Sequence, residues 1–105
     1  MANICNNDFR ITYEDENIGK SIIEKLEKLF DKHLCGEISY EDDGVIEGWF
    51  DSKWSFPIHI FEDFFKEFQD DTIYMRCLSI EWGCDYVAMN IYEDGNWREE
   101  QSFDI

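Results

Sequence analysis

Proline is almost missing from this 105-residue chain, and bases are scarce: Pro57 stands alone, and nine Lys and Arg oppose 25 Asp and Glu. With so little proline there is no Pro-rich linker, and no repeat or low-complexity segment divides the chain. No apolar run approaches the roughly 18–20 residues of a membrane span. The opening Met-Ala-Asn-Ile-Cys-Asn-Asn-Asp lacks the basic and apolar regions of a secretory signal. Two histidines and four cysteines (Cys5, Cys35, Cys77, Cys84) show no Cys-x2–4-Cys pair of the kind a structural zinc site uses. A Gly-rich phosphate loop and a Gly-x-Ser-x-Gly element are also missing. These gaps point to a cytosolic protein with four free thiols, no metal, no cofactor, no membrane contact and no catalytic residue.

The scarcity of bases is uneven. Residues 1–33 carry seven acids and five bases, whereas residues 34–105 carry eighteen acids and four bases (Lys53, Lys66, Arg76, Arg98). The net charge of −16 therefore resides mostly downstream. Such a surface is repelled by nucleic acid and attracted to basic surfaces, which excludes direct binding of DNA or RNA.

Apolar residues are plentiful. They make up 44% of the chain, with 17% aromatic, which supports one core and a single domain over 1–105. In Val45–Trp54, Ile46, Gly48, Phe50, Ser52 and Trp54 share one side, and Glu47, Trp49, Asp51 and Lys53 share the other. That register places Trp54 in the core. Pro57 ends the strand and starts a helix whose Ile58, Phe61, Phe64, Phe65 and Phe68 fall at helical spacing, to about Phe68 or Gln69.

The remaining elements follow from pattern. Phe9, Ile11 and Tyr13 alternate with polar residues, so 8–13 is a strand. Ile18, Ile22, Leu26 and Leu29 mark a helix over 17–34, capped from within Glu14–Asn17 and closed by Gly36. Glu37–Glu41 is a strand, joined through the turn Asp42-Asp43-Gly44 to the strand at 45 as a hairpin. Residues 72–82 form a long strand, Tyr86–Tyr92 another, and Trp97–Phe103 a last edge strand. The sequence thus predicts an α+β protein: a ferredoxin-like sandwich, βαββαβ plus C-terminal strands, with an antiparallel sheet and both helices on one face. Tyr40, Trp49, Trp82, Tyr86, Tyr92 and Trp97 are expected on the open face.

The opening Met-Ala-Asn-x-Cys-Asn-Asn, the stretch Trp54-Ser55-Phe56-Pro57-Ile58 with its following helix, and the Tyr/Trp-rich strands ending in Gly95 resemble the YubB-type ferredoxin-like domain of phage and plasmid proteins. The resemblance spans nearly the whole chain. It implies the fold and a mobile-element origin, and carries no activity.

Same-face strand residues repeat every 6.6–6.8 Å or so, close to the phosphate spacing along a nucleic-acid strand. Glu47 and Asp51 are expected on one face of their strand, with Glu37 and Glu41 beside them. Asp42, Asp43, Glu62, Asp63, Glu67, Asp70 and Asp71 extend the acidic surface over the turn and the second helix, and Trp49 lies within it. The expected function is therefore non-enzymatic: a phage or mobile-element protein that inhibits a host defence nuclease, a CRISPR effector or restriction enzyme, by occupying its nucleic-acid-binding surface. The partner would be a basic host protein. The alternative is an interaction or self-assembling module, up to a homodimer, that uses the open aromatic face.

Overall fold

The computed structural model describes residues 4–84 and 86–100, with the backbone alone at Cys84. The elements are β1 (Ile4–Thr12), α1 (Glu16–Lys32), β2 (Cys35–Asp42), β3 (Val45–Lys53), α2 (Ile58–Phe64), β4 (Tyr74–Glu81), a 3-10 turn (Trp82–Cys84), β5 (Tyr86–Glu93) and β6 (Asn96–Glu100). They form an α+β protein with one six-stranded antiparallel sheet in the order β2-β3-β1-β4-β5-β6. This six-strand order differs from that of the expected ferredoxin-like sandwich. The predicted edge strand is present to Glu100, and its continuation to Phe103 lies outside the described residues.

One face of the sheet is covered. Alternation buries Cys5, Asn7, Phe9 and Ile11 on β1, Ile46, Gly48, Phe50 and Ser52 on β3, and Met75, Cys77, Ser79 and Glu81 on β4. Ile22, Leu26 and Leu29 of α1 and Phe61 and Phe64 of α2 join Phe9, Ile11, Ile46, Phe50, Met75 and Cys77 in a single cluster. Phe50 is at its centre, with ring centroids 6.0 Å from Phe9, 6.1 Å from Phe30, 6.3 Å from Phe56 and 5.4 Å from Phe61. Gly48 is required beside it, because a Cβ there would fall 2.7 Å from the Phe9 ring.

α1 forms as its sequence dictates. The Asp15 side chain accepts from the Asn17 N–H at 2.8 Å and caps the first turn. The helix ends at Lys32 with His33, whose N–H bonds the Leu29 carbonyl at 2.8 Å, so Gly36 is not the cap. Gly36 is the second residue of β2, where a Cβ would meet the Cβ of Phe50 at 2.7 Å. Lys25 ties the two helices. Its ammonium donates to the Phe64 carbonyl, pairs with Glu67 at 3.1 Å, and sits 4.7 Å from the Phe64 ring centroid.

α2 is shorter than its aromatic spacing predicts. It stops at Phe64; Phe65 opens the turn that follows and Phe68 lies just beyond it. Phe65 leaves the helical path to stack on Tyr92, with centroids 4.5 Å apart and planes 15° apart. Trp97 packs against Tyr92, Phe65, Phe61 and Phe56. Tyr92 and Trp97 therefore belong to the helix-covered face, as the register Met75↔Tyr92↔Trp97 requires, and not to the open one. Tyr86, opposite Glu81, is on that covered side too.

Trp54 is not in the core. The alternation on β3 ends at Lys53, paired with Ile4, and Trp54 is 51% exposed with φ 69°. The Ser55 N–H donates to the Lys53 carbonyl at 2.8 Å, which makes Trp54 the centre of a γ-turn with positive φ, a strained form for a bulky residue. Ser52 Oγ donates to the Ser55 carbonyl at 2.7 Å and holds the turn closed.

A buried polar set lies beneath β3. Asn7, 1% exposed, donates through Nδ2 to the carbonyls of Cys5 (3.1 Å) and Phe50 (3.0 Å) and to Ser52 Oγ (3.0 Å). Its Oδ1 accepts from Ser79 Oγ at 2.6 Å. Both ends of the amide are thereby satisfied, as burial demands.

These contacts set two stabilities apart. Phe50→Ala should lower the free energy of unfolding by about 3–5 kcal/mol, the usual loss for a buried aromatic, read by urea denaturation. Trp54→Gly should leave stability unchanged or raise it by up to about 1 kcal/mol, because glycine relieves the positive φ. A loss of several kcal/mol for Trp54→Gly would show that the indole is a core group after all.

Candidate functional site

The two faces and two ends of the sheet differ in charge. On the open face, the register aligns Glu37, Trp49 and Asp8 in one row, Tyr40, Glu47 and Arg10 in the next, and Cys35, Asp51 and Asn6 in a third. Glu37, Glu47, Trp49 and Asp51 are therefore brought together on the β2–β3 half, with Trp49, 37% exposed, between acids. Asp42 closes the same face opposite Val45.

Glu41 does not join them. The β2–β3 register shifts between Ile38 and Tyr40, so Ser39 is an inserted residue and the side-chain alternation reverses. Glu41 pairs with Ile46 and turns to the covered side, where it lines a groove of about 590 Å³ between β2 and α1 with Glu27 and Asp31.

Asp43, Asp70 and Asp71 are elsewhere again, at one end of the sheet. The pairs Thr12↔Val45, Thr12↔Tyr74, Met75↔Tyr92 and Glu93↔Asn96 place four connections at that end. Residues 14–16, 42–44, 69–72 and 93–95 contribute Glu14, Asp15, Glu16, Asp42, Asp43, Asp70, Asp71, Glu93 and Asp94, and no Lys or Arg. Across six strands this acidic edge is about 24 Å wide, at roughly 4.8 Å per strand. The turns explain part of it: Asp43 (φ 47°) with Gly44, and Asp94 (φ 51°) with Gly95, adopt the left-handed geometry that Asp-Gly favours in tight hairpins. Asp70 accepts from Thr72 Oγ1 at 2.6 Å and the Thr72 N–H at 2.8 Å, and these bonds hold its carboxyl below the usual range. Glu93 is paired with Arg98 at 2.9 Å.

The other half of the open face is aliphatic and basic, which sequence alternation did not show. Leu78 and Ile80 of β4 face Met89 and Val87 of β5, all half-buried, in place of the expected aromatics. Arg10 and Arg76 oppose each other across β1 and β4, and Arg98 follows in the same row beyond Ile91. These arginines bound the acidic half. Only the pairing order could reveal that row, since the three residues are far apart in sequence.

Among the described residues no group of His, Cys, Asp and Glu is arranged to hold a metal ion, and no helix is long and apolar enough to cross a membrane. Of the cysteines, Cys5 and Cys77 are buried and Cys35 is exposed, all three as free thiols. Burial pushes the thiols of Cys5 and Cys77 up, against weaker opposing hydrogen bonds from Ser52 and Ser79 respectively. No protein-family model, no curated protein and no solved structure matches this chain.

A thiol-reactive reagent at neutral pH should accordingly label Cys35 in the native protein and spare Cys5 and Cys77 until denaturant is added, with modification read peptide by peptide by mass spectrometry. Equal native labelling of Cys77 and Cys35 would contradict the burial.

Proposed function

We propose that this protein is a non-enzymatic inhibitor that occupies the nucleic-acid-binding surface of a basic host protein, a defence nuclease of the CRISPR-effector or restriction class. The observation that carries the reading is the segregation of charge: a continuous acidic edge without a base in its loops, joined through Asp42 to Glu37, Glu47 and Asp51 on the open face. Acidity needed only for solubility would be scattered, and a net charge magnitude of about 2–8 suffices for a small domain. A ridge of this kind presents carboxylates at spacings near those of a phosphate backbone, with Trp49 as an aromatic anchor among them.

The same reading treats β1 to β4 with the two helices as a ferredoxin-like unit, extended at the β4 edge by β5 and β6, and takes the chain to be of mobile-element origin, as its resemblance to the YubB-type domain implies. Inhibition is stoichiometric and takes place in the host cytoplasm. A second reading, a protein-interaction module, is favoured by one observation, the half-buried strip Leu78, Ile80, Val87 and Met89 on the open face. Salt separates the two, because screening over about 8–10 Å weakens the acidic contact and leaves an apolar one intact.

The test is a cleavage assay with guide-loaded CRISPR effectors and restriction endonucleases. Changing Glu37, Glu47 and Asp51 with Asp42 to Gln or Asn together should raise the inhibitory concentration about tenfold or more, while each single change stays within a few tenths to 1 kcal/mol or so. Excess target DNA should relieve inhibition. An effector that binds this protein and its DNA simultaneously, with undiminished affinity for each, would exclude mimicry.

A further inference from the structure

The end of the sheet opposite the acidic edge is its chemical inverse. Where β3 leaves the sheet at Lys53, the corner leading to α2 opens a groove of about 730 Å³. Leu34, Phe56, Pro57, Ile58 and Ile60 wall it, with Ile4 from the start of β1. Two of these apolar side chains stand in solvent, Ile4 at 53% and Ile60 at 36% exposure. Lys53, His33 and His59 also line it, and Asp51 is the single acid among the described lining residues. Lys53 makes no ion pair among the described residues, although acids outnumber bases 25 to nine in the chain.

Distance isolates this groove from the acidic edge. The two ends are separated by the length of β3, roughly 30 Å at about 3.4 Å per residue, several times the ~8 Å screening length at physiological salt. The groove therefore responds to its own rim. It is also preformed: the γ-turn at Trp54, closed by the Ser52–Ser55 bond, fixes the wall that Phe56 and Pro57 provide. Strain of that kind at an exposed aromatic is stored where the surroundings enforce it, and functional clefts are a common place for it.

We propose that this groove binds a small amphipathic carboxylate, its aliphatic or aromatic body against Leu34, Phe56, Ile58 and Ile60 and its carboxylate at Lys53 and His33. Three observations select this occupant. The volume lies within the ~300–1,000 Å³ of small-molecule sites, the walls are apolar with few polar groups, and the rim offers one lysine and two histidines as donors against a single acid among the described lining residues. This site touches the acidic surface only at Asp51 and does not depend on the inhibitor reading.

The net charge of the chain makes the test demanding, because a cationic amphiphile is what a −16 protein would otherwise attract. The probe is 8-anilinonaphthalene-1-sulfonate, an apolar anion whose fluorescence rises in apolar surroundings, at physiological salt. One dye should bind per chain, and decanoate should displace it. Decyltrimethylammonium, of equal chain length and opposite charge, should displace it about tenfold less well or worse, a gap of ~1.4 kcal/mol. Lys53→Glu should weaken dye and decanoate binding by about tenfold, whereas Lys66→Glu, the same charge change outside the groove, should alter it less than about twofold. Both positions are exposed, so both variants should keep the native melting temperature. Equal displacement by the cation, equal effects of the two variants, or no saturable binding would each overturn the proposal. A peptide competitor that outperforms decanoate would do so as well, by assigning the groove to a protein partner. None of these outcomes bears on nuclease inhibition, which Lys53→Glu should leave intact.

Discussion

Phe50 is the side chain on which the layers converge. From the middle of β3 it meets Phe9 of β1, Phe30 of α1, Phe56 of the corner and Phe61 of α2, so one ring touches every layer of the first half of the fold. Aromatic contacts of this kind contribute beyond their buried area and fix mutual angles. The crowding dictates what lies nearby. Gly36 and Gly48 are glycines because Phe50, Phe30 and Phe9 fill the space a Cβ would need. Beyond Phe56 the chain of rings continues through Trp97 to Tyr92 and Phe65, which docks β5 and β6 onto the same core.

The antiparallel sheet turns this packing into a polar molecule. Every strand that begins or ends near Thr12 hands its loop to one end, and those loops are the Asp-rich turns. The hairpin residues Asp43 and Asp94 satisfy local geometry and supply charge together. At the other end the strands give way to Lys53, Trp54 and the Pro57 corner, where apolar side chains stand exposed beside Lys53 at the rim of a groove. A small domain thus separates an acidic edge from an apolar groove by the length of a strand.

Parts of this were legible in the residues. The period-2 alternation of Ile46, Gly48, Phe50 and Ser52 gave the buried side of β3, and the Ile22, Leu26, Leu29 spacing gave the inner stripe of α1, because both patterns repeat over enough residues to define a face. Other readings failed where a pattern outran its cause. Trp54 continued the alternation on paper, but β3 ends at Lys53 and the backbone turns at Trp54 to a positive φ of 69°. Phe65 and Phe68 continued a helical period, yet Phe65 is positioned by Tyr92, a residue 27 positions further along the chain in β5. Glu37 and Glu41 are four apart and would share a face in a regular strand, and the inserted Ser39 parts them.

By itself, the sequence determined the class of the fold, the hairpin turns, the inner faces of the two regular elements and the sign and unevenness of the charge. These depend on neighbours within a few residues, where periodicity and turn chemistry act. Only the tertiary structure decided which side of β5 and β6 meets the helices, that Arg10 and Arg76 stand opposite each other, that Glu41 leaves the acidic face, and that Lys53 shares a groove with His33 and Ile60. Each of these depends on strand order and register between segments far apart in the chain. A one-residue difference in register reverses every side chain, and no local pattern records it.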